Sequence, residues 1–139
     1  MIVLDTNVVS ELMRPTPSDQ VVSWNRSQPA GELFTTAITA AEIFYGIERL
    51  PAGKRRVSLE VAAEGIFKDR FVGRVVGFDS YAARVFATIA ARRRAIGKPI
   101  SQSDAQIAAI VQVCGATLAT RNLADFESCE IRLINPWAR

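Results

Sequence analysis

Five short apolar runs alternate along this chain with longer stretches of helical character, and that alternation narrows the fold more than any other feature. The runs are Ile2–Asp5, Leu33–Ala37, Val75–Phe78, Thr117–Thr120 and Ile131–Ile134, each just long enough for a short buried strand. Val8–Met13 reads as a helix that stops before Arg14-Pro15, because the residue ahead of a proline disfavours helical backbone. Ser18–Ser27 reads as a short amphipathic helix, and Thr39 opens another to Leu50. A helix is expected over Lys54–Phe71, with Val57, Val61, Ile66 and Phe67 as its apolar stripe. Asp79–Ala95 is a strong helix ended by Gly97, and Asp104–Cys114 an alanine-rich one closed by Gly115. Leu123–Phe126 suggests a single helical turn. Strands alternating with helices predict an α/β fold with a parallel sheet of about five strands and right-handed crossovers. With no repeat, linker or low-complexity tract in 139 residues, one domain over 1–139 is expected.

The missing residue type constrains the chemistry. The chain has no histidine, which excludes Ser-His-Asp hydrolysis, histidine-paired nucleases and the usual zinc sites. Its two cysteines, Cys114 and Cys129, lack metal-ligand spacing, and Cys114 reads as a small buried hydrophobe. Acid–base or phosphoryl chemistry must therefore use carboxylates, lysines, hydroxyls or a metal held by oxygen. The formal charge of +3 mildly favours a polyanionic partner. No apolar stretch reaches the length of a membrane span, and the first residues lack the pattern of a signal peptide, so a cytoplasmic protein is expected.

The acids fall at telling places. Asp5 ends the first strand, Glu42 is expected in the first turn of the helix after the second, Asp104 begins the alanine-rich helix, and Asn122 and Asp125 follow "TLAT". In a parallel α/β sheet, strand ends and the helix starts that follow them share one edge, where ligands bind. Carboxylates gathered there repel one another, and a divalent cation removes the conflict. Mg²⁺ or Mn²⁺ takes oxygen ligands and can activate water against a phosphoryl group. Taken singly, each acid also fits a helix cap. "TAAE" (Thr39–Glu42) matches a capping box, "SQSD" (Ser101–Asp104) nearly does, Asp5 and the Asn122–Asp125 pair can cap the helices they precede, and Asp79 is assigned to capping alone.

"MIVLDTNVVSEL", "TTAITAAEIFYGI", "ISQSDAQIAAIV", "LATRNLADFE" and "IRLINPW", taken in order, resemble the PIN-domain ribonucleases, and more narrowly the VapC-type and FitB-type toxins of bacterial toxin–antitoxin pairs. The resemblance covers nearly the whole chain. It implies a five-stranded parallel sheet of order 3-2-1-4-5 and Mg²⁺- or Mn²⁺-dependent endonucleolytic cleavage of RNA. It also implies a homodimer silenced by a cognate antitoxin. The family's first three acids fall on Asp5, Glu42 and Asp104, with Asp5 and Asp104 binding the metal and Glu42 helping to position it and its water. Thr6 and Asn7 occupy the polar positions after the first acid, and Thr120 matches the hydroxyl residue ending the fourth strand. Asn122 stands where many relatives carry Asp, so it is expected to act through its amide oxygen or a water, with Asp125 as an outer carboxylate and one bound metal.

Other readings compete with this one. A phosphoacceptor receiver module shares the small parallel α/β fold and would use Asp79 and Lys98-Pro99, but the acid pair it needs near strand one is missing. A catalytically inactive PIN-fold binding module is the second rival. Lys54–Arg56 and Arg92–Arg94 suit RNA phosphates or a solvated face, the latter also complementing a helix C-terminus. Trp24 and Phe44-Tyr45 suit either a partner surface or the core.

Overall fold

A computed structural model describes residues 1–138. Strand β1 (Ile2–Leu4) lies at the centre of a fully parallel five-stranded sheet, paired on one side with β2 (Leu33–Thr36) and on the other with β4 (Thr117–Ala119). Strands β3 (Val75–Val76) and β5 (Arg132–Ile134) form the edges, giving the order β3-β2-β1-β4-β5. Six α-helices cover the faces: α1 (Thr6–Leu12), α2 (Asp19–Ser27), α3 (Ala37–Glu48), α4 (Lys54–Gly65), α5 (Ser80–Ala95) and α6 (Gln102–Cys114). Both the α/β class and the strand order are those expected from the sequence.

Strand alternation splits the core in two. Val3 and Leu118 project to one face, where α5 and α6 supply Ile89, Ile107, Ala108 and Ile110. Leu4 and Ala119 project to the other, where α1 to α4 supply Val8, Val9, Val21, Ile43, Ile47 and Ala63. Central strands covered on both faces read as continuous apolar runs, which is why "IVL" and "TLA" contain no polar member besides the leading threonine.

Several boundaries differ from the expected ones, each for a local reason. Helix α1 starts at Thr6 rather than Val8, because the Asp5 carbonyl already accepts from the Val8 and Val9 amides at 3.0 and 3.2 Å. Helix α3 is capped by Thr36, not Thr39. The chain is still extended at Thr36, and its hydroxyl accepts from the Thr39 amide at 3.0 Å. The expected Thr39–Glu42 capping box therefore does not form, and Glu42 lies in the second turn. The stretch after Gly65 widens into a π-helical turn, Ile66–Arg70, closed by the Phe71 amide donating to the Ile66 carbonyl at 2.9 Å, and Phe71 lies in the core with no exposure. The inward face of α4 is Leu59 and Ala63, while Val57 and Val61 point to solvent. At α6, Ser101 accepts from the Asp104 amide at 3.1 Å, so Asp104 is the third helical residue rather than the first. Asp79 caps α5 as expected, accepting from the Ala82 amide at 2.9 Å. Gly115 closes α6 with φ 61°, a left-handed backbone that glycine adopts without steric cost. Among the described residues no helix is long and apolar enough to cross a membrane.

Helix α6 carries the densest core contribution. Ile107→Ala, at a fully buried position, should cost about 2–5 kcal/mol in urea unfolding. Val113→Ala, on the exposed face of the same helix, should stay within about 0.5 kcal/mol. Equal losses would show that α6 does not pack as described.

Candidate active site

The carboxyl end of β1 places Asp5 where three chain segments meet. Its side chain is nearly buried, at 4% exposure, yet every contact it makes is to a donor. Oδ1 accepts from the Thr6 amide at 2.8 Å. Oδ2 accepts from the Thr120 hydroxyl at 2.8 Å and from Asn7 Nδ2 at 3.3 Å. The Thr120 hydroxyl is in turn fully used: it donates to Asp5 and accepts from the Asn122 amide at 3.1 Å and from Asn7 Nδ2 at 3.3 Å. Asn7 Oδ1 accepts from the Arg121 amide at 3.2 Å, so Asn7 clamps the turns that leave β1 and β4.

A second network runs to α3. Thr6 Oγ1 donates to Glu42 Oε1 at 2.8 Å and lies 3.0 Å from Thr39 Oγ1. A hydroxyl has one proton, so with Thr6 committed to Glu42 the proton of the second contact comes from Thr39. Thr39 was expected only to open a helix; the structure makes it the buried base of a Thr39–Thr6–Glu42 relay. Nothing in the local sequence distinguishes it from Thr36, since both precede the same apolar pattern.

The electrostatics tie the acids together. Burial pushes the Asp5 carboxyl up to about 6. The Thr120 and Thr6 hydrogen bonds oppose this, and the negative charges of Asp104 and Glu42 add to it. Asp104 is also raised, first by burial and then by Asp125 and Glu42, while its contact with Ser101 and the cation of Arg93 pull the other way. Asp5, Glu42, Asp104 and Asp125 thus share one field at the carboxyl edge of the sheet. Asn122 joins through its backbone alone. It occupies the capping position of the short 3₁₀ turn Leu123–Phe126, but its side chain makes no cap.

This donor set is all oxygen, which suits Mg²⁺ or Mn²⁺ rather than a softer metal. Among the described residues no three acids lie close enough to enclose one ion. An ion here would take one or two carboxylates and complete its shell with water, the usual habit of Mg²⁺. Beside Glu42 a groove of about 300 Å³ opens between α1, α3 and α4, walled by Met13, Ile43, Leu50, Arg55 and Leu59.

The other marked residues are distributed elsewhere. Asp79 follows an edge strand and is spent on its cap, which leaves the receiver reading without its acid. Arg56 pairs with Glu48 and Glu60. Arg92 and Arg94 lie on the solvated face, Arg92 paired there with exposed Glu130, whereas Arg93 is buried and departs from that reading. Phe44 packs on Phe67 with ring centroids 5.4 Å apart, Trp24 is half-buried against the α1–α4 core, and Tyr45 is exposed. Arg121 stacks over Trp137 at 5.0 Å on the rim of the site.

Comparison with known proteins agrees with this geometry. The family model described as "PIN domain" matches residues 2–128. The chain is 41% identical to the VapC ribonuclease Y4jK of Sinorhizobium fredii, covering 99% of this chain and 98% of that one. It is 36% identical to the toxin FitB of Neisseria gonorrhoeae, covering 99% of each. The crystal structure of FitAcB from Neisseria gonorrhoeae superposes over the full length of both chains with a TM-score of 0.88 and 34% identity.

The buried carboxyl makes a pH test possible. Asp5 titrates near 6 when folded against an ordinary 3.8, so the folded protein binds this proton more tightly. In EDTA its contribution to stability should therefore fall as pH rises from about 4 to about 6 and stay flat above. Relative to Asp5→Asn, which lacks the titration, the intact protein should lose on the order of 1–3 kcal/mol across that window. Stability curves that run parallel from pH 4 to 7 would mean the carboxyl is solvated like any surface acid.

Proposed function

The chain belongs to the PIN-domain family, and from that premise we propose that it is a divalent-metal-dependent endoribonuclease, the toxin of a toxin–antitoxin pair. The observation that carries the reading is Asp5: a nearly buried carboxylate, supplied with donors by Thr6, Asn7 and Thr120, that shares one field with Glu42 and Asp104. Four unrelated helix caps would have no reason to converge in this way.

Asp5 and Asp104 are the proposed metal-holding carboxylates, with Glu42 beside them and Asp125 as an outer acid. Bound there, Mg²⁺ or Mn²⁺ would supply an activated water and charge neutralisation at a phosphodiester. The residues do the positioning. Thr120 and Asn7 occupy Oδ2 of Asp5 and the Thr6 amide takes one acceptor site of Oδ1, which leaves the second site of Oδ1 for an ion. Thr6, backed by Thr39, fixes one oxygen of Glu42 and leaves the other to orient a water. Asn122 steadies Thr120 through its amide. Arg121, exposed at the rim, is suited to a phosphate of the RNA backbone. The inactive binding-module reading fits less well, because Asp5, Glu42 and Asp104 are all acidic and Asp5 is held in place by dedicated hydrogen bonds.

The chain acts as one PIN domain over residues 1–139, in the cytoplasm where its RNA lies, and as a homodimer. Its partner is a cognate antitoxin that lays an apolar or basic segment across the acidic edge and the adjoining groove. Positive charge there would complement the uncompensated carboxylates. Relatives named as toxins, and solved complexes such as FitAB bound to DNA and FitAcB, support this partner class.

Purified protein should cleave RNA in Mn²⁺ or Mg²⁺ and stop in EDTA. Cleavage undiminished by excess EDTA, with contaminating nuclease excluded, would rule out the metal mechanism. Asp104→Asn should hold or gain stability in EDTA, because it relieves repulsion among the acids. It should lose cleavage and most of the thermal stabilisation by millimolar Mn²⁺. A variant less stable in EDTA that still gains fully from Mn²⁺ would make Asp104 a structural residue.

A further inference from the structure

Arg93 is the most unusual cation in the molecule. It is only 5% exposed and, among the described residues, forms no salt bridge. An arginine cannot shed its charge, so a buried one needs compensation. Here backbone oxygen provides it. Nε donates to the Lys98 carbonyl at 2.7 Å. Nη1 donates to the carbonyls of Asp125 and Glu127 at 2.8 and 3.0 Å and points at Cys129 Sγ at 3.5 Å.

These acceptors belong to two loops. Lys98 lies in the connection from α5 to α6, three residues before the Ser101 cap that starts the helix of Asp104. Asp125 and Glu127 lie in the segment from β4 to β5. That segment contains left-handed backbone at Ser128 (φ 61°) and Glu130 (φ 57°), a conformation that costs about 1–3 kcal/mol per non-glycine residue and persists only when its surroundings hold it. Neighbouring Arg92 holds the same segment from outside through Glu130. One guanidinium thus fastens the loop that leads to Asp104 and the loop that carries Asp125.

We propose that Arg93 is a positioning residue of the acidic edge: by bridging the Lys98 and Asp125–Glu127 carbonyls it sets the separation of Asp104 and Asp125, and its buried charge lets those two acids stand together. The electrostatics agree, since Asp104 senses Asp125 as repulsive and Arg93 as attractive. This inference rests on the metal-dependent reading above and assigns Arg93 an effect on the metal through Asp104 and Asp125, without contact to either metal or RNA.

The test uses the full-length protein and Mn²⁺ alone as probe. Arg93→Lys keeps the charge but replaces a rigid fork with a single ammonium that cannot span both loops. By calorimetry without RNA, its Mn²⁺ affinity should fall about 10-fold, the scale seen when an outer-shell partner of a metal ligand is lost. With RNA, kcat should fall by a similar factor while KM stays unchanged. Ile89→Ala, in the core of the same helix, supplies a destabilised reference that should bind Mn²⁺ normally. Hydrogen exchange on the intact protein gives a measurement independent of any variant: Mn²⁺ should slow the amides of residues 123–129. Normal Mn²⁺ affinity in Arg93→Lys, an equal loss in Ile89→Ala, or unchanged exchange at 123–129 would each overturn the role of Arg93 and leave the nuclease reading standing. Failure of the intact protein to bind Mn²⁺ at all would instead overturn the metal reading, and this inference with it.

Discussion

A carboxylate that is almost out of water at the end of the central strand is the constraint on which the rest of this site depends. Hydrogen bonds to a charged group contribute roughly 1.5–3 kcal/mol each, and Asp5 receives donors from Thr6, Asn7 and Thr120. Burial nevertheless wins: the carboxyl sits near 6, above rather than below its ordinary value. The protein has placed a charge where its own donors do not fully satisfy it, and neighbouring Asp104 and Glu42 deepen the deficit. Such an arrangement stores a preference for positive charge, whether it comes as a proton, a divalent ion or a cationic side chain.

The scaffold follows from that requirement. Asp5 is held only if β1 and β4 are adjacent, because Thr120 and Asn7 reach it from the turn after β4 and from α1. Glu42 joins only if β2 flanks β1 on the other side, so that α3 starts beside Thr6. The central place of β1 is therefore as much a condition of the site as of the core. Its alternate side chains fill both cores, and the residue that follows it, Asp5, leaves the sheet as the carboxylate.

The basic residues show how far charge alone can mislead. "RRR" at Arg92–Arg94 is a run of like charges at a helix end, which suggests solvent or phosphate. In the fold its three members diverge by helical rotation: Arg92 and Arg94 stay on the surface, Arg92 beside Glu130, while Arg93 turns inward to the Lys98, Asp125 and Glu127 carbonyls. A run of identical residues carries no signal for this. The expected stripe over Lys54–Phe71 holds at Ile66 and Phe67 but not at Val57 and Val61: which face of α4 turns inward is fixed by packing against α3, where Leu59 and Ala63 fit instead.

The sequence by itself determined the α/β class, the number of strands, and the positions of Asp5, Glu42 and Asp104 close to strand ends and helix starts, because hydrophobic periodicity and turn residues are local signals that survive without the fold. Asp79 and Ser101 were legible as caps for the same reason. Only the tertiary structure decided between Thr36 and Thr39 as the cap of α3, since both spacings satisfy the same local rule and the end of strand pairing selects one. It alone made Thr39 part of a relay to Glu42, and it alone buried Arg93 beneath two loops. Those outcomes depend on contacts between segments such as Thr6 and Glu42, or Arg93 and Asp125, which lie more than thirty residues apart in sequence. No local pattern encodes such a contact, and it exists only once β1 has been enclosed by its neighbours.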